Sequence, residues 1–381
     1  MTYKKTLYLD NTSTNPIDPE VLATYNKVLK EYYANSGAIH SLGRTVNKLH
    51  SKSRSEILDL LNVKNMNLIF TSGATEANNT AIKSVALANL DKGRHAITTK
   101  VEHPSVYNSF KFLEEYLDYE VTYLDVDAGG NINPDELKKS LRADTVIVSI
   151  MNVNNELGTI IKTSDWTRIV KDNSKAFTHS DMVQAIGNID LDFKDLDMAS
   201  FSAHKINGVK GSGFLLIRDY IKMVPLLSGG DQEMNLRAGT ENAPANIVLA
   251  KTVRLALENK DEKVKHLKVL NEYFYEQIKQ VENVRVNSPQ DNSVYNIINI
   301  SALNVGSEIM LNALSLKDIH VSAGSTCQSD LDKYSRVLEA LNLAKENQES
   351  RIRISLNKDL DLADIDYIVN AIKEISENYA I

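Results

Sequence analysis

The sequence predicts an α/β protein with a large domain on a mostly parallel seven-stranded sheet and a smaller C-terminal α+β domain. Two observations point there. From about residue 66 to 219 apolar runs of strand length alternate with helix-period segments, and several runs are continuously apolar, as in sheets covered on both faces. Beyond about residue 255 the texture changes to a long charged helical stretch and shorter strands. A chain of 381 residues also exceeds the roughly 250 at which single cores tend to split.

Each element has its own signal. Residues 17 to 32 place Val21, Tyr25, Val28 and Tyr32 on one helical stripe, and residues 46 to 61 do so with Val46, Leu49, Ser53, Ile57 and Leu60. "LIFTSG" reads as a strand, 76 to 90 as a helix and "HAITTK" as a strand. Residues 104 to 118 form a helix through Val106, Phe110, Leu113 and Leu117, "VTYLDV" is a strand, and a weaker helix follows near 134 to 142. The strands "TVIVSIM", "AFTHSD", "MASFSAH" and "GFLLIRD" come next. Such alternation implies right-handed crossovers. The C-terminal part reads as a helix over 257 to 281, the strands "VYNIINI", "IHVSAG" and "RIRISL", and a final helix carrying Leu362, Ile365, Val369 and Ile372. The expected division is 16–255 for the large domain and 256–381, with 1–15, for the small one.

Composition excludes several classes. A net charge of −7 gives no basic footprint for nucleic acid. The N-terminal "MTYKKTLYLDNTSTNP" lacks the apolar core of a signal sequence, and no apolar run is long enough to cross a bilayer, so a cytoplasmic protein without membrane partners is expected. The single cysteine, Cys327, cannot form an intramolecular disulfide, and no Cys/His spacing suggests a zinc site. No metal is expected.

Ligands of open α/β sheets bind beyond the carboxyl ends of the strands, so those ends come first. After "LIF", Gly73 permits a tight turn, and Ala74, Thr75 and Glu76 open a helix whose free N–H groups suit a phosphate, although plain capping accounts for the pattern as well. After "HAITTK", His103 stands before a proline as a general base, a ring-stacking platform or a polar loop residue. After "TVIVSI" come Asn154, Asn155 and Glu156 in an Asn-rich turn. After "AFT", Asp181 ends a strand near Gln184; it could hold a protonated ring nitrogen or cap a helix. After "MASF", Ser202, His204 and Lys205 stand together before Gly208, Gly211 and Gly213. Because a strand follows, this is no P-loop. A lysine directly after a buried strand is poorly explained unless it acts, and desolvation frees its amine as a nucleophile for a Schiff base. Lysine for an imine, aspartate for a pyridinium, histidine for a ring and Thr75, Ser202 and His204 for a phosphate are together what pyridoxal 5'-phosphate demands.

At this point the chain resembles, nearly end to end, the cysteine desulfurases among the class V, fold-type I pyridoxal-phosphate enzymes. The landmarks are "YLDNTSTNP", "NSGAIHSLG", "FTSGATEANN", "TTKVEHPSV", "NVNNELGT", "HSDMVQAIG", "SFSAHKINGVKG", "LRAGTEN", "SAGSTC" and "IRISL". The resemblance implies that Lys205 carries the cofactor, Asp181 pairs with its ring nitrogen, Gln184 reaches the ring hydroxyl and His103 stacks on the ring. It implies phosphate contacts from Thr75, Ser202, His204 and the Ala74 backbone, with Thr240 donated by the second subunit of a homodimer. Arg353 would clamp the substrate carboxylate, helped by Asn155 and Asn35, while Arg351 is expected to be an ordinary surface charge.

The same resemblance casts Cys327 as the acceptor that takes sulfur from L-cysteine as a persulfide and passes it to an acceptor protein, for iron–sulfur cluster assembly or for thiolation of tRNA or a cofactor. Gly324, Ser325 and Thr326 bring little apolar surface, so this loop is expected to be mobile and solvent-facing. The chain departs from the family pattern at Ser36, Val209, Thr326, Met234 and Asn235, and by lacking a proline after Cys327. Alternatives are a selenocysteine lyase, an aminotransferase without thiol chemistry, and a scaffold that keeps the cofactor for structure.

Overall fold

The structure, a computed structural model, describes residues 5–324 and 334–378. Its strands in chain order are β1 (Leu7–Tyr8), β2 (Met66–Thr71), β3 (His95–Thr99), β4 (Glu120–Leu124), β5 (Thr145–Ser149), β6 (Phe177–Asp181), β7 (Met198–Ser202), β8 (Gly213–Arg218), β9 (Val284–Val286), β10 (Ile297–Ala302), β11 (Ile319–His320) and β12 (Arg351–Ser355). The large sheet has seven strands in the order β2-β8-β7-β6-β5-β3-β4. β8 runs antiparallel to both neighbours and the other pairs are parallel. The carboxyl ends of β2, β3, β5, β6 and β7 therefore share one edge with the start of β8.

The inner strands of this sheet are buried on both faces, which is why several of them, β5 and β8 above all, read as continuous apolar runs. Leu68, Phe70, Val148, Phe201, Phe214 and Leu216 face one core with Trp166, while Ile69, Ile147, Met198, Leu215 and Ile217 face the other with Phe110. His179 stands in the middle of β6 and shares hydrogen bonds with Ser149 Oγ on β5 at 2.7 Å and Ser200 Oγ on β7 at 2.9 Å. Burial pushes its pKa down to about 3, so a neutral imidazole ties three strands together.

The C-terminal part has a three-stranded antiparallel sheet, β12-β10-β9, and β1 pairs in parallel with β11. Its core gathers Leu7, Leu9, Phe274, Ile298, Ile300, Ile352, Ile354 and the inner face of the helix Leu362–Asn378.

Four local findings differ from the sequence reading. The helix expected over 76 to 90 begins at Ala74, and its middle, Thr80–Ser84, is wound as a π turn before it resumes over Val85–Ala88. Two helices, Ala243–Glu258 and Lys260–Ile278, meet at Asn259; only the second lies in the stretch expected as a helix over 257 to 281, and the first is not among those the sequence reading predicts. The first starts at an Asn242 cap with a proline in its first turn, and its Leu249, Ala250 and Val253 belong to the core of the large sheet. The helix Thr163–Asn173 is not among those the periodicity predicts, because its buried stripe holds few apolar residues, chiefly Trp166 and Val170. Arg351 is no surface charge: it is 8% exposed and donates from Nε to Ala323 O at 2.8 Å and from Nη1 to Gln348 O at 2.7 Å. Its place in β12 puts it inside rather than outside.

Candidate active site

The shared strand edge opens on a cavity of about 370 Å³, within the range of small-molecule sites. Ten of the expected residues line it: Ala74, Thr75, His103, Asn155, Asp181, Gln184, Ser202, His204, Lys205 and Arg353. Asn35 and Thr240 do not. Asn35 is exposed and accepts from Gly37 N at 2.9 Å, and Thr240 lines a second cavity that shares Ser72 and Gly211 with the first. Cys327 lies outside the described residues.

Lys205 sits in the single turn Ala203–Ile206 that follows β7, which carries its amine over the sheet edge. Its Nζ donates to Thr12 O at 2.6 Å and Ser13 O at 2.7 Å, and Gln184 Nε2 donates to the same Thr12 O at 3.1 Å. Asp181, the last residue of β6, is 5% exposed. One of its oxygens accepts from Asn78 Nδ2 at 2.8 Å and the other from Val183 N at 3.0 Å. These two hydrogen bonds fix the direction of the side chain.

His103 caps the helix Pro104–Leu117. Its Nδ1 accepts the Ser105 N–H at 3.2 Å and lies 2.8 Å from Ser105 Oγ, which also receives Asn78 Nδ2 at 2.9 Å. Burial, with Lys205, Arg336 and Arg353 nearby, lowers its pKa against the opposing pull of Asp181. The ring is therefore neutral, and because Nδ1 receives a backbone N–H, its proton belongs on Nε2. Burial and the charges of Lys205 and Lys210 push His204 down to about 4, so this second imidazole is neutral too. Beside His103, the fully buried carboxyl of Glu102 accepts from Met151 N and Thr99 Oγ1, both at 2.9 Å, and burial pushes its pKa up to about 8.

The turn before the helix at Ala74 is shaped by two glycines. Gly73 has φ +149°, and a Cβ on Gly213 would fall 2.7 Å from Gly73 Cα, so this close approach of the turn to β8 requires glycine. Ser72, Ala74 and Thr75 thus face the cavity together with Ser202 and His204.

Arg353, on β12, closes the opposite side. It is 2% exposed, and it donates from Nη2 to Asp10 Oδ1 at 2.9 Å and Ser13 Oγ at 2.6 Å and from Nη1 to Asn155 O at 3.0 Å. Its Nε has no hydrogen-bond partner among the described residues. A buried guanidinium with a donor in reserve is suited to a carboxylate.

Four residues escaped the sequence reading: Asn78, which orients Asp181, and Asp10, Thr12 and Ser13, which hold Arg353, Gln184 and Lys205. Asn78 lies one helical turn after Ala74 and so on the same face, a spacing that could have found it. The N-terminal trio is a run of short polar residues with no periodicity. Their role depends on a contact with residue 353 that no local pattern shows.

These groups fit a pyridoxal-phosphate-sized ligand: an amine at one wall, a fixed carboxylate at the end of β6, a neutral imidazole, and backbone and hydroxyl donors at a helix start. Such a cavity at the carboxyl edge of a mostly parallel sheet defines a cofactor-dependent α/β enzyme. The comparisons narrow the class. The family model described as aminotransferase class-V matches residues 7–368. A cysteine desulfurase IscS of Dictyoglomus turgidum is 40% identical over 377 residues, spanning 98% of this chain and 95% of that protein. One of Methanosarcina thermophila is 37% identical, spanning 98% and 93%. Among solved structures, a NifS-like protein superposes with a TM-score of 0.91 at 34% identity, covering 98% of this chain and all of that one. SspA in complex with cysteine superposes at 0.81 with 30% identity, covering 92% and 99%. The chain belongs to the class-V aminotransferase family and, within it, to the pyridoxal-phosphate-dependent cysteine desulfurases.

Proposed function

We propose that this chain is an L-cysteine desulfurase that forms a persulfide on Cys327 and yields L-alanine, acting in the cytoplasm as a homodimer. The observation that carries the reading is one cavity holding Lys205, Asp181 and His103 against Arg353. In this reading the cofactor is held through Lys205, with Asp181 at its ring nitrogen, Gln184 at its ring hydroxyl, His103 against its ring, and Ala74, Thr75, Ser202 and His204 around its phosphate. When bound, it supplies an electron sink beside the substrate Cα.

The chain's own residues do the rest. Arg353 receives the substrate carboxylate, its guanidinium already oriented by Asp10, Ser13 and Asn155 O. The Lys205 amine moves the proton at Cα. The Cys327 thiolate attacks the substrate Sγ: an S–S bond forms, the Cβ–S bond breaks, and its electron pair stays on carbon, which takes up a proton. Carbon is reduced by two electrons and the two sulfurs together are oxidised by two, so L-cysteine and a thiol give L-alanine and a persulfide with no external oxidant.

Two findings favour a dimer. Asn35 and Thr240 lie outside the cavity of their own chain, and the segment around Asn35 exposes Tyr33 (74%), Ile39 (90%) and Leu42 (54%), apolar surface that a second copy would cover. Thr240 then serves the partner's cofactor phosphate, and Asn35 the substrate. No helix among the described residues is long and apolar enough to cross a membrane. The two cores on either side of Asn259 support a large unit over 16–255 and a small one over 256–381 with 1–15. The persulfide is passed to an acceptor protein of iron–sulfur cluster assembly or of thiolation.

The test is to add L-cysteine to the cofactor-loaded protein and measure alanine and Cys327 persulfide together. Equal amounts of both, with persulfide lost in Cys327→Ala, are expected. Turnover that survives Cys327→Ala and yields a keto acid would instead establish an aminotransferase, and a selenocysteine substrate processed without Cys327 would establish a lyase.

A further inference from the structure

The segment bearing Cys327 lies outside the described residues, but the residues on either side of it are described, and both sides are fastened to residues close in sequence to those that line the cavity. On the N-terminal side Ala323 O accepts from Arg351 Nε at 2.8 Å, and Ser322 Oγ donates to Gly324 O at 2.8 Å. On the C-terminal side Ser335 Oγ donates to Glu156 Oε2 at 2.6 Å. The next residue, Arg336, donates from Nη1 to Lys100 O at 2.6 Å and from Nη2 to Glu102 O, and its guanidinium lies 3.9 Å from the centre of the Tyr107 ring.

Two of these partners are neighbours in sequence of site residues. Glu156 follows Asn155, whose carbonyl accepts from Arg353, and Glu102 precedes His103. The Glu156 carboxylate is 2% exposed, and the same Oε2 that accepts from Ser335 lies 3.4 Å from where a Cβ on Gly324 would stand. It is thus placed between the two sides of the segment. Plain capping does not explain this. Ser335 accepts from Leu338 N to start the helix Arg336–Ala340 through its own oxygen, and needs no carboxylate to do so. Arg336 crosses from that helix to two carbonyls of the loop before His103, which helix formation does not require.

We propose that Glu156 and Arg336 are positioning residues for the sulfur-transfer step: they fix where the Cys327 segment leaves the fold relative to the Arg353 and His103 walls. This rests on the desulfurase reading above. Attack of the thiolate on the substrate Sγ depends on near-contact geometry, and a misplacement of about 1 Å from a distant change can cost about a hundredfold. Charge-assisted bonds from a buried carboxylate and a guanidinium fork hold such geometry better than neutral ones. Neither residue lines the cavity, so neither is placed to touch cofactor or substrate.

The test uses full-length holoenzyme carrying Arg336→Gln, Arg336→Lys or Glu156→Gln. Three readouts are taken: the cofactor absorbance change on adding L-cysteine, the single-turnover rate of Cys327 persulfide formation by mass, and steady-state kcat and KM. The expected result is a persulfide rate lower by about tenfold to a hundredfold in Arg336→Gln, partly recovered in Arg336→Lys. The absorbance change stays within about twofold of the unsubstituted enzyme, and kcat falls while KM holds. Persulfide formed at the unsubstituted rate, or an absorbance change that slows in proportion to it, overturns the proposal. Should Glu156→Gln lose its cofactor, Ser335→Ala removes the same hydrogen bond from the other side and decides in its place. An unsubstituted enzyme that makes no persulfide at all would instead overturn the desulfurase reading itself.

Discussion

Replacing Arg353 by lysine keeps the positive charge but exchanges a planar fork for a point charge on a shorter reach. In the structure the guanidinium spends three of its N–H groups on Asp10, Ser13 and Asn155 O, and Nε is without a partner among the described residues. A lysine has three N–H groups in all, so it cannot satisfy those acceptors and also grip a carboxylate at two points. The variant therefore loses about one charge-assisted hydrogen bond to substrate, roughly 1.5–3 kcal/mol, which is about tenfold to 150-fold in kcat/KM. Because the carboxylate is bound alike in ground and transition states, the loss belongs in KM. The assay is alanine formation over a range of L-cysteine concentrations, with cofactor content checked by absorbance. Cysteamine, which lacks the carboxylate, serves as the control and is expected to bind both proteins equally, as judged by its absorbance change. An unchanged KM for L-cysteine, or an equal penalty with cysteamine, would show that Arg353 is not the carboxylate clamp.

Three further outcomes are expected. Asn78→Ala removes the hydrogen bonds to Asp181 and Ser105 and should weaken cofactor binding about tenfold in reconstitution titrations of the apoprotein, one hydrogen bond to a charged group being about 1.5 kcal/mol; unchanged affinity would mean that Asp181 is oriented by Val183 N alone. His179 has a folded pKa near 3 against 6.5 unfolded, so the unfolded chain holds the extra proton between those values and stability is lost as pH falls through 6.5. Relative to the same protein at pH 7, this histidine should cost about 2 kcal/mol at pH 5, a dependence absent from His179→Gln; identical pH profiles in urea denaturation would sink the assignment. Phe274→Ala, at a fully buried position in the C-terminal core, should lower stability by about 3–5 kcal/mol, and a midpoint shift worth under about 1 kcal/mol would contradict the packing described.

Several strands of the large sheet were legible because burial on both faces leaves an apolar run, the others by their alternation with helices, and all seven were placed to within about two residues of their bounds. Asp181, Ser202 and Lys205 were legible for a different reason, their place at the carboxyl ends of strands in an open sheet, whereas Arg353, on β12 of the other sheet, was reached only through the family resemblance. The helix Ala243–Glu258 was not legible, since no loop separates it from Lys260–Ile278 and only the Asn242 cap and the proline after it mark its start. Arg351 and Arg353 look alike in "RIRISL". The alternation of a strand would send both to the same face, yet one holds Ala323 and Gln348 while the other reaches Asp10, a division set by what packs around β12 rather than by the strand itself.

The pairing of β1 with β11, and the reach of Arg353 to Asp10 and Ser13, join residues separated by more than three hundred positions. During synthesis the segment around Asp10 emerges more than three hundred residues before its strand partner at Ile319 and its arginine at 353. Thr12 and Ser13, whose carbonyls hold the Lys205 amine, gain their full set of contacts only after residue 353 has left the ribosome. Long-range closures of this kind are slow to form and leave the nascent N-terminus unsatisfied meanwhile. A translation product ending before residue 353 would therefore lack one wall of the pocket and the guanidinium that holds Asp10 and Ser13 in place.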